Sequence, residues 1–168
     1  MAIPRDPIWL SVARAFIGLV ETPGPASNPV ILRWAADIGA PAYTDDGVAW
    51  CAVFVNRILL ACGLPLSGRG YSLLRAGSFR DWGQDMPLGP APGAVLVFSR
   101  PEGHHVGFYV GEDATRYRVL GGNQIDAVSE TWINQLRLVA MRWPDGVERP
   151  FVGRVVLTAA GATSTNEG

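Results

Sequence analysis

The segment from Thr44 to Gly63, TDDGVAWCAVFVNRILLACG, constrains this chain more than any other. Read at 3.6 residues per turn, it predicts a helix opening near Val48 to Trp50 and closing before Gly63. Ala49, Ala52, Val53, Val55, Ile58, Leu59 and Cys62 form an apolar surface wider than one stripe, which the rest of a small domain must bury. Asp45 and Asp46 precede it, where acids suit the positive end of a helix. Cys51 then falls in or near the first turn. Uncovered N–H groups and the helix dipole favour thiolate there, which predicts a pKa below that of a free thiol. A nucleophilic cysteine also needs a histidine, and the chain has 2.

A chain of 168 residues is long enough for one domain with its own core, read here as residues 1–157 followed by a flexible tail over 158–168. The net charge of -1 offers no basic surface for nucleic acid or anionic lipid. Its 20 glycines and 13 prolines cut the chain into short elements, against a helical bundle. Cys51 and Cys62 on one helix would stand about 16 Å apart, beyond the roughly 7 Å that a disulfide spans. The N-terminal stretch is interrupted by Arg5, Asp6 and Arg14, so no signal peptide is expected. No run approaches the ~18 apolar residues of a membrane span. The reading is of a protein made in the cytoplasm and monomeric by default.

Asp6-Pro7 predicts a cap and first residue for a helix whose apolar positions run from Ile8 to Val20. Asn28-Pro29 repeats the signal for a second helix over Val30 to Asp37, ending at Gly39. After the central helix, short helical turns are expected over Tyr71 to Ala76 and Phe79 to Trp82. The period then changes. Strands are predicted over Val95 to Phe98, His105 to Gly111, Tyr117 to Leu120, Leu138 to Trp143 and Phe151 to Leu157. Helices first and antiparallel strands second make an α+β domain.

The two histidines are adjacent, so on a strand they point to opposite faces. His104, Val106, Phe108 and Val110 read as the core face, which leaves His105 as the histidine expected to face a packed helix. A hairpin centred between Asp113 and Ala114 places His105 opposite Gly122, give or take a residue or two. Asn123 and Gln124 lie there. A side-chain amide can accept the Nδ1 proton of an imidazole and leave the other nitrogen for a thiol. Asn123 is the preferred residue for its position and short side chain, with Asp126 a weaker alternative beyond the strand end. The backbone N–H of Cys51 is the expected oxyanion donor. Cys62 reads as a packed small hydrophobe. Cys51, His104 and His105 form no recognised zinc pattern, and no glycine fingerprint for a nucleotide is present, so no metal or cofactor is expected.

WCAVFVNRILLACG, PGAVLVFSRPEGHHVGFYVGED and VLGGNQ, in that order, resemble the CHAP and NlpC/P60 group of papain-like cysteine peptidases and amidases. The likeness runs from about Trp9 to Trp143 and includes Glu21-Thr22-Pro23-Gly24 and Asn28-Pro29. It implies a helical N-terminal half packed on an antiparallel, partly barrel-like sheet. It also implies Cys51 as nucleophile, His105 as general base and Asn123 as the orienting third residue. One departure is visible: the usual Gly-His-Val-Gly is here Gly103-His104-His105-Val106-Gly107, with His104 as the extra residue.

The resemblance implies a peptidoglycan hydrolase of bacterial or phage type, cutting an amide in the stem peptide, the cross-bridge or the muramoyl–L-alanine junction through a thioester. Such an enzyme would reach the periplasm or cell wall by a holin, a phage particle, a secretion apparatus or lysis. The alternatives are a cysteine amidase on another small amide and a catalytically silent module that binds wall peptides.

Overall fold

Prolines and glycines set the limits of the N-terminal helices in the computed structural model, which describes residues 6–150 and 153–157. The first helix, α1 (Ile8–Arg14), starts after Pro7. Asp6 does not cap it; its carboxylate instead pairs with Arg14 Nε at 2.7 Å. The helix expected to reach Val20 stops at Arg14. Gly18 turns into the left-handed region at φ 95°. The chain beyond it pairs with residues 126–128, through Gly18 N–H to Val128 O and Glu21 N–H to Asp126 O, both at 2.9 Å. Tertiary pairing has overridden a helical pattern. In α2 (Pro29–Asp37) the cap is as expected: Asn28 Oδ1 accepts the Val30 N–H at 2.9 Å. The central helix, α3 (Cys51–Ala61), begins one residue after Trp50, and Gly63 at φ 67° turns the chain away from its end. Two 3₁₀ turns follow, Gly70–Leu74 and Ala76–Phe79.

The strands are β1 (Gln84–Asp85), β2 (Val95–Arg100), β3 (Gly103–Glu112), β4 (Arg116–Gly121), β5 (Ser129–Asn134) and β6 (Leu138–Trp143). They form one antiparallel sheet in the order β1-β6-β2-β3-β4-β5. The sheet is open, with β1 and β5 as its edges, and the expected partly barrel-like closure does not occur. The fold is therefore α+β, with N-terminal helices packed on a six-stranded antiparallel sheet. The pattern reading missed β5, whose SETWIN sequence lacks clean alternation, and the two-residue β1. Of the strand expected over Phe151 to Leu157, Phe151 and Val152 lie outside the described residues. Val156 makes an isolated parallel bridge with Glu112.

The apolar breadth of α3 is explained by its position between two layers. Phe54 meets Trp34 of α2 at 5.8 Å between ring centroids and Phe108 of β3 at 6.4 Å. Eight of its residues, Cys51 through Asn56 with Ile58 and Leu59, are buried. The opposite face of β3 is equally dry, because Phe98, Tyr109 and Tyr117 stack there. Among the described residues no helix is long and apolar enough to cross a membrane.

Candidate active site

Cys51 is the first residue of α3, and Trp50 fixes where that helix begins. The Trp50 indole is fully buried, and its Nε1 donates to Glu21 Oε2 at 3.1 Å. Asp46 supports the same approach from below, its buried Oδ2 accepting the backbone N–H of Thr22 at 2.9 Å and of Asn28 at 2.7 Å. The residues of the E-x-P-G and N-P segments therefore brace the start of the cysteine helix. Asp45 and Asp46 precede the first turn without entering it.

The Cys51 side chain meets the sheet where β4 leaves β3. Tyr109 N–H points to the β2 side, bonding Ala94 O at 2.8 Å. By the two-residue repeat of a strand, the N–H of Val106 points to the β4 side. The β3–β4 ladder, however, ends at Phe108–Leu120. The Val106 N–H faces the Cys51 thiol instead. The thiol thus sits against the residue next to His105.

Burial of Cys51 pushes its thiol pKa up. The Val106 N–H, the Arg100 guanidinium and the N–H groups of Ala52 and Cys51 all act in the opposite direction and do not overcome it. The expected lowering at the helix start is therefore reversed. The helix terminus lies under protein, where the loss of hydration outweighs a dipole worth ~2 kcal/mol at most. The resting site holds a thiol.

His105 is fully buried, and its Nε2 lies 3.0 Å from Gln124 Oε1. The Gln124 amide is oriented by its other end: its Nε2 donates to Val119 O at 3.2 Å and Ser129 O at 2.5 Å. With the NH₂ group committed to two carbonyls, the oxygen must face the ring, so His105 carries its proton on Nε2. In the neutral ring Nδ1 is then the acceptor. This is the reverse of the tautomer the sequence suggested.

The amide that meets His105 is Gln124, one residue beyond the preferred Asn123. Asn123 is also buried, yet among the described residues its side chain makes no hydrogen bond. Its backbone is left-handed at φ 55°, as are Ile125 and Asp126 at φ 55° and 58°. Those three turns take the chain out of strand geometry after Gly121, so cross-strand counting no longer says which side chain faces β3. Asp126 lies on the other side, pairing its carbonyl with Glu21 N–H.

The face assignment also changes. Phe108 packs on Phe54 of α3, so alternation gives the helix-facing side of β3 to His104, Val106 and Phe108. His105 points instead toward Gly121 and the loop that leaves β4. His104 stands beside Gly77 and lines an open cleft of about 690 Å³ that Cys51 also lines. The far wall of this cleft comes from the segment of the two 3₁₀ turns, including Tyr71, Arg75 and Arg80.

Asn56 was not singled out from the sequence, although a polar side chain in so apolar a helix was a usable signal. It is fully buried; its Nδ2 donates to Ser67 Oγ at 2.9 Å and Leu73 O at 3.0 Å, and its Oδ1 accepts Ser67 N–H at 2.9 Å. It holds the cleft wall to the cysteine helix. Cys62 is half-buried and not disulfide-bonded, and no metal-binding group of His, Cys, Asp and Glu occurs among the described residues. Comparison with models of known protein families gives no match, and comparison with curated protein sequences gives none.

Proposed function

We propose that the chain is a papain-like cysteine amide hydrolase acting on peptidoglycan peptides. The observation that carries this reading is the position of the Cys51 thiol at the Val106 amide, beside a histidine whose tautomer Gln124 fixes. The wall substrate rests on the resemblance of the three motifs.

In this reading Cys51 attacks the amide carbon as a histidine of β3 takes the thiol proton: His105 through Nδ1, the residue that matches the motif, although strand alternation turns its ring away from α3. Attack and deprotonation are coupled because burial disfavours a standing thiolate. The carbonyl oxygen, now negative, is met by the backbone N–H of Cys51. His105 returns the proton to the leaving nitrogen as the C–N bond breaks, leaving a thioester. Water then adds to the thioester with His105 as base, releasing a carboxylic acid and restoring the thiol. Gln124 holds the ring throughout. A second assignment, with His104 as base, is favoured by one observation: His104 shares the cleft wall with Cys51.

The test is mass spectrometry of purified muropeptides, cross-linked and uncross-linked, incubated with wild type and Cys51→Ala. A fragment formed by wild type alone is expected, and its mass locates the bond. Equal cleavage by both proteins would remove Cys51 from the chemistry. Binding without cleavage would favour a silent wall-peptide module, and cleavage confined to soluble amides would favour another substrate. Delivery to the wall by a holin, phage particle or secretion system belongs to the same proposal.

A further inference from the structure

The cleft beside Cys51 is positively charged in a chain whose net charge is -1. Arg75, Arg80 and Arg100 line it, against Glu102 as the only acid in its wall among the described residues. Arg75 and Arg80 are exposed, and among the described residues neither is paired with a carboxylate. Arg75 instead lies over the Tyr71 ring, 5.8 Å from its centroid, and that ring is 73% exposed at the cleft lip. Arg100, on β2, acts electrostatically on the Cys51 thiol itself. The cationic wall therefore runs from the lip to the sulfur.

The exposed guanidinium groups of Arg75 and Arg80 on one wall of a concave site favour planar oxyanions, which they grip in pairs of parallel hydrogen bonds. They also concentrate anionic ligands at the site. We infer that the cleft selects peptide amides bearing free carboxylates next to the reacting bond, and discriminates against the same peptides with those carboxylates amidated. The inference rests on the reading of Cys51 as the reacting group, and deepens it to a substrate class. Tyr71, stacked with Arg75, supplies the apolar edge of the same subsite.

Two measurements test it, neither of which requires turnover. The first alkylates the native protein with iodoacetate or with neutral iodoacetamide and reads both cysteines by peptide mass spectrometry. In each case a C–S bond forms, iodide leaves and the thiol proton goes to solvent. The ratio of the two rates at Cys51, divided by the same ratio at Cys62, is expected on the order of tenfold in favour of the anion at low salt. It should fall as salt is added, and fall in the Arg75→Gln/Arg80→Gln variant to what Arg100 alone sustains. Arg100 is left intact because changing it would alter the thiol as well. A ratio near one in wild type, or an unchanged ratio in the variant, overturns the inference.

The second titrates Cys51→Ala calorimetrically with muropeptides carrying free or amidated carboxylates. Tighter binding of the free form supports the inference; equal binding, or none, overturns it. If charge selection holds in both measurements while wild type cleaves no muropeptide, the cleft assignment stands and the hydrolase reading falls.

Discussion

His105 Nε2 and Gln124 Oε1 are 3.0 Å apart, and the two carbonyls that Gln124 Nε2 serves, of Val119 and Ser129, settle which atom donates. The glutamine is therefore a positioning residue. It ties the imidazole to the end of β4 and the start of β5, and leaves Nδ1 as the basic nitrogen.

Gln124→Ala is expected to lower kcat about 10–100-fold with a smaller change in KM, because the ring loses its tautomer and its orientation. Asn123→Gly should stay within about twofold of wild type, since glycine accepts the left-handed backbone that Asn123 adopts at φ 55°. Steady-state rates of muropeptide cleavage decide between them. The opposite ranking would return the orienting role to Asn123.

His105→Ala should abolish cleavage while His104→Ala retains most of it, with far-ultraviolet circular dichroism showing that both variants fold. Loss of activity in His104→Ala alone would give the base to the histidine in the cleft wall.

The raised thiol pKa of Cys51 has a sign that can be measured. The folded protein keeps a proton that the unfolded chain releases as pH passes the ordinary thiol range, near 8.5. The stabilisation is full below that range and is lost as pH rises through the folded value. Iodoacetamide labelling of Cys51 should accordingly reach half its limiting rate above the ordinary thiol range, and Cys51→Ala should flatten the alkaline decline in stability. A labelling midpoint in the acidic range would indicate a standing thiolate and overturn the coupled attack.

Gly121 and Gly122 separate activity from stability. A Cβ at Gly122 would stand 2.6 Å from Phe54 Cβ and 2.7 Å from Trp50 Cζ3, so Gly122→Ala must displace the start of α3. A loss of about 1–3 kcal/mol in urea unfolding is expected. A Cβ at Gly121 would stand 2.8 Å from Gln124 Oε1 and 3.3 Å from His105 Nε2. Gly121→Ala should therefore cost activity out of proportion to its effect on the urea midpoint.

Asn56→Ala removes three hydrogen bonds that join α3 to Ser67 and Leu73. It leaves the buried Leu73 carbonyl and the half-buried Ser67 N–H without these partners, for a loss of about 2 kcal/mol. Protection of amides 67–74 from hydrogen exchange should fall more than that of β3. Equal loss across both would show that Asn56 supports the whole core rather than the cleft wall.

What the sequence determined by itself was local. Periodicity and capping set α2 with Asn28 at its head, placed Cys51 in or near the first turn of α3, and put His105 on a strand that the structure begins two residues earlier, at Gly103. Such features follow from 3.6- and 2-residue repeats and from short-range hydrogen bonds, so residue order is enough to read them. The tertiary structure decided the rest. The helix after Arg14 ended because residues 18–21 found a partner in residues 126–128, more than a hundred positions away. The amide on His105 became that of Gln124 because three left-handed residues, Asn123, Ile125 and Asp126, break the strand repeat on which the choice of Asn123 depended. The thiol of Cys51 rose instead of falling because the sheet and helices bury it, and desolvation is a property of everything packed around an atom rather than of its neighbours in the chain.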